Sequence, residues 1–141
     1  MSRKSANIAA LIESCQGHGL DPHYLGFFRC FNQQLFYESH DVLEELWLAD
    51  RTGPDGDFYR GLIQLAGAFV HLQKGRLRPA ASLFNRAQAH LQKYSPAHRG
   101  LDVHRVLILI ADWTARLLAD NFSRNPLEPG NAPTLHPLLM A

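Results

Sequence analysis

Apolar positions recur three and four residues apart along most of this chain, and no stretch alternates with a period of two. Ile8, Leu11 and Ile12 set out a short amphipathic helix over Lys4–Gln16, ended by Gly17 and Gly19. Asp21 before Pro22 reads as an N-cap followed by the residue best suited to the first helical position. Tyr24, Leu25, Phe27, Phe28 and Phe31 then give a dense apolar face up to Asn32. Leu35–Ala49 repeats the pattern, and Thr52-Gly53-Pro54-Asp55-Gly56 breaks it as a loop. Phe58–Lys74 is apolar on nearly all sides and stops at Gly75. Pro79–Tyr94 carries Leu83, Phe84, Ala87, Leu91 and Tyr94 on one face and stops before Pro96. Asp102 caps a last long helix from Val103 to about Asn121. The pattern predicts an all-α fold, a single-domain multihelical bundle of about five or six helices.

Pro126, Pro129, Pro133 and Pro137 forbid regular helix near the C-terminus. The expected organisation is therefore a helical domain over 1–122 and an extended, proline-rich tail over 123–141. Leu135, Leu138 and Leu139 give that tail apolar residues with which to dock. A loose repeat at offset 41 pairs Gly26 with Gly67, Phe28 with Phe69 and Leu43 with Phe84. Each copy reads as helix, turn, helix, so the bundle is expected to consist of helical hairpins.

Composition narrows the function classes. The 141 residues are 46% hydrophobic and 19% charged, enough apolar material for a real core. Lys plus Arg is 14 and Asp plus Glu is 13, so no broad basic field invites nucleic acid. Cys15 and Cys30 are too few for a disulfide scaffold. No apolar run approaches the ~20 residues that span a bilayer, and no leader pattern is visible. A cytoplasmic protein without nucleic-acid or membrane partners is expected. Gly-rich phosphate loops, a GxSxG elbow and Cys–His pairs at useful spacing are all missing from the sequence.

The eight histidines are the compositional oddity. On a wheel of Leu35–Ala49 at ~100° per residue, the apolar residues fill one broad arc. His40 falls beside Trp47, and Glu44 lies about 40° further round and one turn along. Tyr37 and Leu48 come just beyond Glu44, so His40 and Glu44 sit between apolar neighbours. Glu38, Asp41 and Glu45 take the remaining, wet face. On Phe58–Lys74 the same construction gathers Arg60, Gln64 and His71 into one polar stripe, flanked by Gly67 and Ala68. A helix apolar on its other sides belongs in mid-core, so the stripe needs partners inside the protein. The expected pairings are Arg60 with Glu44, and Gln64 with either His40 or His71.

A buried hydrogen-bonded network that fixes how two helices meet accounts for these residues without any chemistry. The sharper alternative makes His40, Glu44 and His71 a site for a divalent metal such as zinc, with Asp41 as an outer base. His90 reads as a core-edge histidine. His18, His23, His98 and His104, in loops or near helix starts, read as solvated, and nothing decides the role of His136. Trp113 and the Phe27–Phe28–Phe31 cluster read as core.

The strings FNQQLFYESHDVLEELW (Phe31–Trp47) and FYRGLIQLAGAFVHLQKG (Phe58–Gly75) resemble the DUF309 family of small bacterial and archaeal proteins. Gly100-Leu101-Asp102-Val103 is similar to that family's last segment, so the resemblance spans about residues 21–120. It implies a compact fold of helical hairpins and an unknown function, with metal-dependent hydrolysis suggested for some members. The motif positions carried over are Phe31, Asn32, Glu38, His40, Asp41, Glu44, Trp47, Gly61, Leu62, Gln64 and Gly75. Asp41 stands where Glu is expected in relatives.

Two readings follow. The first is a binding module for a small ligand or a protein, possessing a His/Glu/Arg/Gln network of Glu38, His40, Glu44, Trp47, Arg60, Gln64 and His71. It expects an exposed apolar patch or a homo-oligomer interface, filled within this chain by Leu135–Met140. The alternative is a metal-dependent hydrolase that activates water at His40, Glu44 and His71, and it expects an open pocket between the two helices.

Overall fold

The structure, a computed structural model, describes residues 6–14, 16–17 and 20–137. Lys4, Cys15, His18, Gly19 and Leu138–Met140, with the side chains of Ile8 and Leu11, lie outside the described residues. Six helices follow in order: α1 (Ala6–Ser14), α2 (Pro22–Asn32), α3 (Phe36–Asp50), α4 (Gly56–Gln73), α5 (Leu77–Leu91) and α6 (Val103–Ala119). Sequential neighbours pack as hairpins, α2 on α3 and α4 on α5, with α3 against α4 and α5 against α6. Asp21 and Asp102 cap as the sequence predicts, accepting from the backbone N–H of His23 at 2.7 Å and of Arg105 at 3.0 Å.

Phe69 on α4 explains why that helix is apolar all round. Its ring stacks on Phe36 of α3 at 5.0 Å. It meets Phe31 of α2 edge-on at 5.7 Å, Phe84 of α5 at 5.3 Å and Trp113 of α6 at 5.0 Å. Four helices thus converge on one side chain, so α4 is the central element. Gly61 sets how near α5 can come: a Cβ there would lie 2.6 Å from Leu91 Cγ.

Two local features differ from the all-helical expectation. Ala97–His98 (β1) pairs antiparallel with Leu101–Asp102 (β2), a hairpin with two residues per strand. Strands that short cannot display an alternating pattern. The turn between them uses positive φ at Arg99 and Gly100. α5 ends at Leu91, and the helical period continues to Tyr94 through a 3₁₀ turn (Gln92–Tyr94).

Beyond α6 the described chain has no regular helix or strand, yet it is anchored. The Asn32 side chain donates to Leu135 O at 2.8 Å and accepts from Leu135 N at 2.7 Å. Leu135 is buried against the core. Asn125 Nδ2 donates to Leu72 O, the carbonyl near the end of α4, at 2.6 Å.

Candidate functional site

His40 of α3 and His71 of α4 do meet at one place. They line a pocket of about 270 Å³ with Tyr37, Ile63, Gln64, Gly67, Val70 and Leu83, so three helices contribute walls. Gly67 stands where α5 comes close, since a Cβ there would reach 3.0 Å from Leu83 Cδ1. The Tyr37 ring lies parallel to the His40 imidazole, 6.2 Å away. In both His40 and His71 the Nδ1 atom is buried without a hydrogen-bond partner. Neither Nε2 is buried in this way, and no protein group bonds it, so Nε2 is the accessible nitrogen of each ring. Burial, with Arg76 and Lys74 nearby, pushes the His71 pKa below its usual value and favours the neutral ring.

Gln64 is buried, as the stripe predicts, but its partner is neither of those histidines. Its Oε1 accepts from His90 Nδ1 at 2.8 Å, joining α4 to α5. Burial lowers the His90 pKa as well, in part against the pull of Asp57. The expected Arg60–Glu44 pair does not form. Arg60 is exposed, and its guanidinium lies 5.9 Å from the Trp47 ring centroid. Glu44 is half-buried and is not among the residues lining the pocket.

The opposite face of α3 also differs from the wheel. Asp41 is buried and Glu38 half-buried, whereas Glu45 is exposed as expected. Ile12 of α1 packs over Cys30 and Val42 and covers ground that a single-helix projection leaves wet. Asp41 is thus removed from the solvent access that an outer base beside the His40 site would need.

A second polar cluster escapes the sequence reading altogether. Asp55, just before α4, accepts from Arg99 Nε at 2.9 Å, contacts Arg99 Nη2 at 2.6 Å and holds His98 Nε2 at 2.6 Å. Tyr24 donates to the Arg99 carbonyl at 2.9 Å, and Tyr94 donates to the Pro54 carbonyl at 2.8 Å. Lys93 bonds Asp57 on the first turn of α4. Burial pushes the Asp55 carboxyl up, but Arg99 and His98 outweigh it and hold it below the carboxylate range. Burial raises the Tyr24 and Tyr59 hydroxyls. His98 is therefore not solvated: it is half-buried, its ring 4.7 Å from both Phe58 and Tyr94. His23 is half-buried too, with Asp21 at 3.4 Å and Glu45 at 3.6 Å, while His104 is exposed. The Asp55 carboxylate is saturated by its partners, so this cluster clips the hairpin to α4 rather than offering a reactive group.

The metal arrangement does not fit these side chains. Among the described residues no three His, Cys, Asp or Glu side chains converge to hold an ion. A histidine that ligates through Nε2 carries its proton on Nδ1 and donates it to an outer partner. Neither His40 nor His71 has such a partner.

Among the described residues no helix is long and apolar enough to cross a membrane. Residues 24–83 match the model of DUF309, a domain of unknown function. The match runs from α2 into α5 and is shorter than the 21–120 the resemblance suggests. It contains His40, Gln64 and His71 and leaves out the hairpin and α6. No curated protein and no solved structure gives a significant match.

Proposed function

We propose that this helical protein, with its DUF309 match across α2–α4, is a binding module that takes a small molecule into the pocket between α3, α4 and α5. The observation that carries the reading is a pair of imidazoles facing mostly apolar walls without protein partners at either ring nitrogen. A purely structural network leaves its buried polar groups satisfied, as Gln64 and His90 are. A volume of about 270 Å³ lies just under the usual range for ligand sites, so the ligand is compact, on the order of ten heavy atoms. His40, His71 and Gln64 supply polar contacts, and Ile63, Val70 and Leu83 supply apolar ones.

The test is a fragment screen followed by amide chemical shifts in the natural protein and in Gly67→Leu, whose side chain fills the pocket. Hits that shift the amides of His40, Gly67 and His71, and are lost in the variant, support the reading. Hits scattered over the surface, or none, overturn it.

A further inference from the structure

Polar groups in this pocket are not interchangeable, because in Gln64, His40 and His71 one polar end is held or buried and the other is open. Gln64 accepts from His90 through Oε1, which leaves its amide nitrogen as the uncommitted end. Nδ1 of His40 and of His71 is sealed away from both water and protein acceptors. A neutral imidazole must carry one proton, and a buried lone pair without a partner costs less than a buried N–H without one. The proton therefore belongs on Nε2, the accessible atom, in both rings. No carboxylate lines the pocket to receive these hydrogens.

We infer that the pocket offers mainly donors, two imidazole Nε2–H groups and the Gln64 amide, with the Tyr37 hydroxyl on its wall able to turn either way, and selects a compact apolar molecule bearing a carbonyl-type acceptor oxygen. This rests on the pocket being a ligand site, and it adds which end of the ligand enters. A cationic amine is the poorer partner: it brings donors to the imidazole and amide donors and finds no carboxylate in the lining. The pKa of His71, lowered by burial, agrees with a neutral donor there.

Two experiments separate this inference from the proposal beneath it. At pH 8, above the ordinary imidazole value of about 6.5, long-range ¹H–¹⁵N spectra of the ligand-free protein report which nitrogen holds the proton. Nε2–H signatures for both His40 and His71 are expected, and Nδ1–H at either overturns the inference. Titration with toluene, acetophenone and benzylamine then compares one ring with no polar group, an acceptor and a donor. Acetophenone is expected to bind at least fivefold more tightly than toluene, and benzylamine more weakly than either.

In His71→Phe the acetophenone advantage should shrink while toluene binding persists. Equal binding of toluene and acetophenone overturns the donor inference and leaves the pocket standing. A preference for benzylamine overturns it too. Failure of all three probes to shift the His40, Gly67 and His71 amides overturns the inference together with the pocket itself.

Discussion

The two halves of α4 handle polar groups in opposite ways. Around its N-terminal half polar groups are paired: Asp55 grips His98 and Arg99, Lys93 meets Asp57, and Gln64 meets His90. Gly61 is pressed against Leu91 there. One turn or two further on, Gly67 and Leu83 help line the pocket, and His40 and His71 line it with no protein partner. The same helix thus carries a satisfied network that fixes packing and an unsatisfied one that packing does not explain. Buried polar groups alone do not mark a site; their incompleteness does.

The largest effect should come from breaking the closed half. Asp55→Ala leaves the His98 and Arg99 donors without their acceptor and is expected to cost about 2–3 kcal/mol, read as a lower urea midpoint at unchanged slope. Next comes a pair of identical substitutions at the two glycines. Gly61→Ala drives a methyl to within 2.8 Å of two Leu91 atoms and is expected to cost about 1–2 kcal/mol. Gly67→Ala meets only one methyl at the pocket edge, which can turn away. The helix-propensity gain should leave it neutral or up to ~0.5 kcal/mol more stable by calorimetry.

A histidine pair sharpens the contrast further. His90→Leu orphans Gln64 Oε1 and should lower stability by about 1–2 kcal/mol, whereas His71→Leu removes an imidazole without partners and should change it by no more than ~0.5 kcal/mol. Equal losses in the two variants would erase the distinction between halves.

The smallest effect is a slope with pH. His71 and His90 have lowered pKa values in the fold, so the unfolded chain binds protons first as pH falls past the ordinary imidazole value of about 6.5. Stability should be full above that value and decline through the lowered values. Asp55, held below its usual range, adds a second decline only under pH about 4. In thermal melts at pH 7 and pH 5, His71→Leu should show a smaller difference than the natural protein.

How much of this the sequence discloses depends on whether a partner lies on the same helix. The wheel of α4 places Arg60, Gln64 and His71 on one polar stripe and the helix itself in mid-core, since angle along one helix is a local property. It cannot say which neighbour faces each residue, so Gln64 is matched to the histidines of its own pocket while His90 of α5 holds it. Asp41 looks wet from α3 alone and is buried in the fold, next to Val42, on which Ile12 of α1 packs. The Asp55 clip joins residues 43 and 44 positions apart through a turn that no periodicity reveals. A Gly–Pro–Asp–Gly string advertises the loop and says nothing of what its carboxylate will hold.

The two tryptophans occupy unlike surroundings. Trp113 is buried on Phe69 at 5.0 Å, while Trp47 is half-buried beneath Arg60. They divide the molecule's own fluorescence between interior and surface. Trp113 should emit toward the blue and resist aqueous quenchers, and Trp47 should emit toward the red and yield to them. Because Phe69 touches four other helices, light from Trp113 reports whether the centre has loosened, with no dye attached.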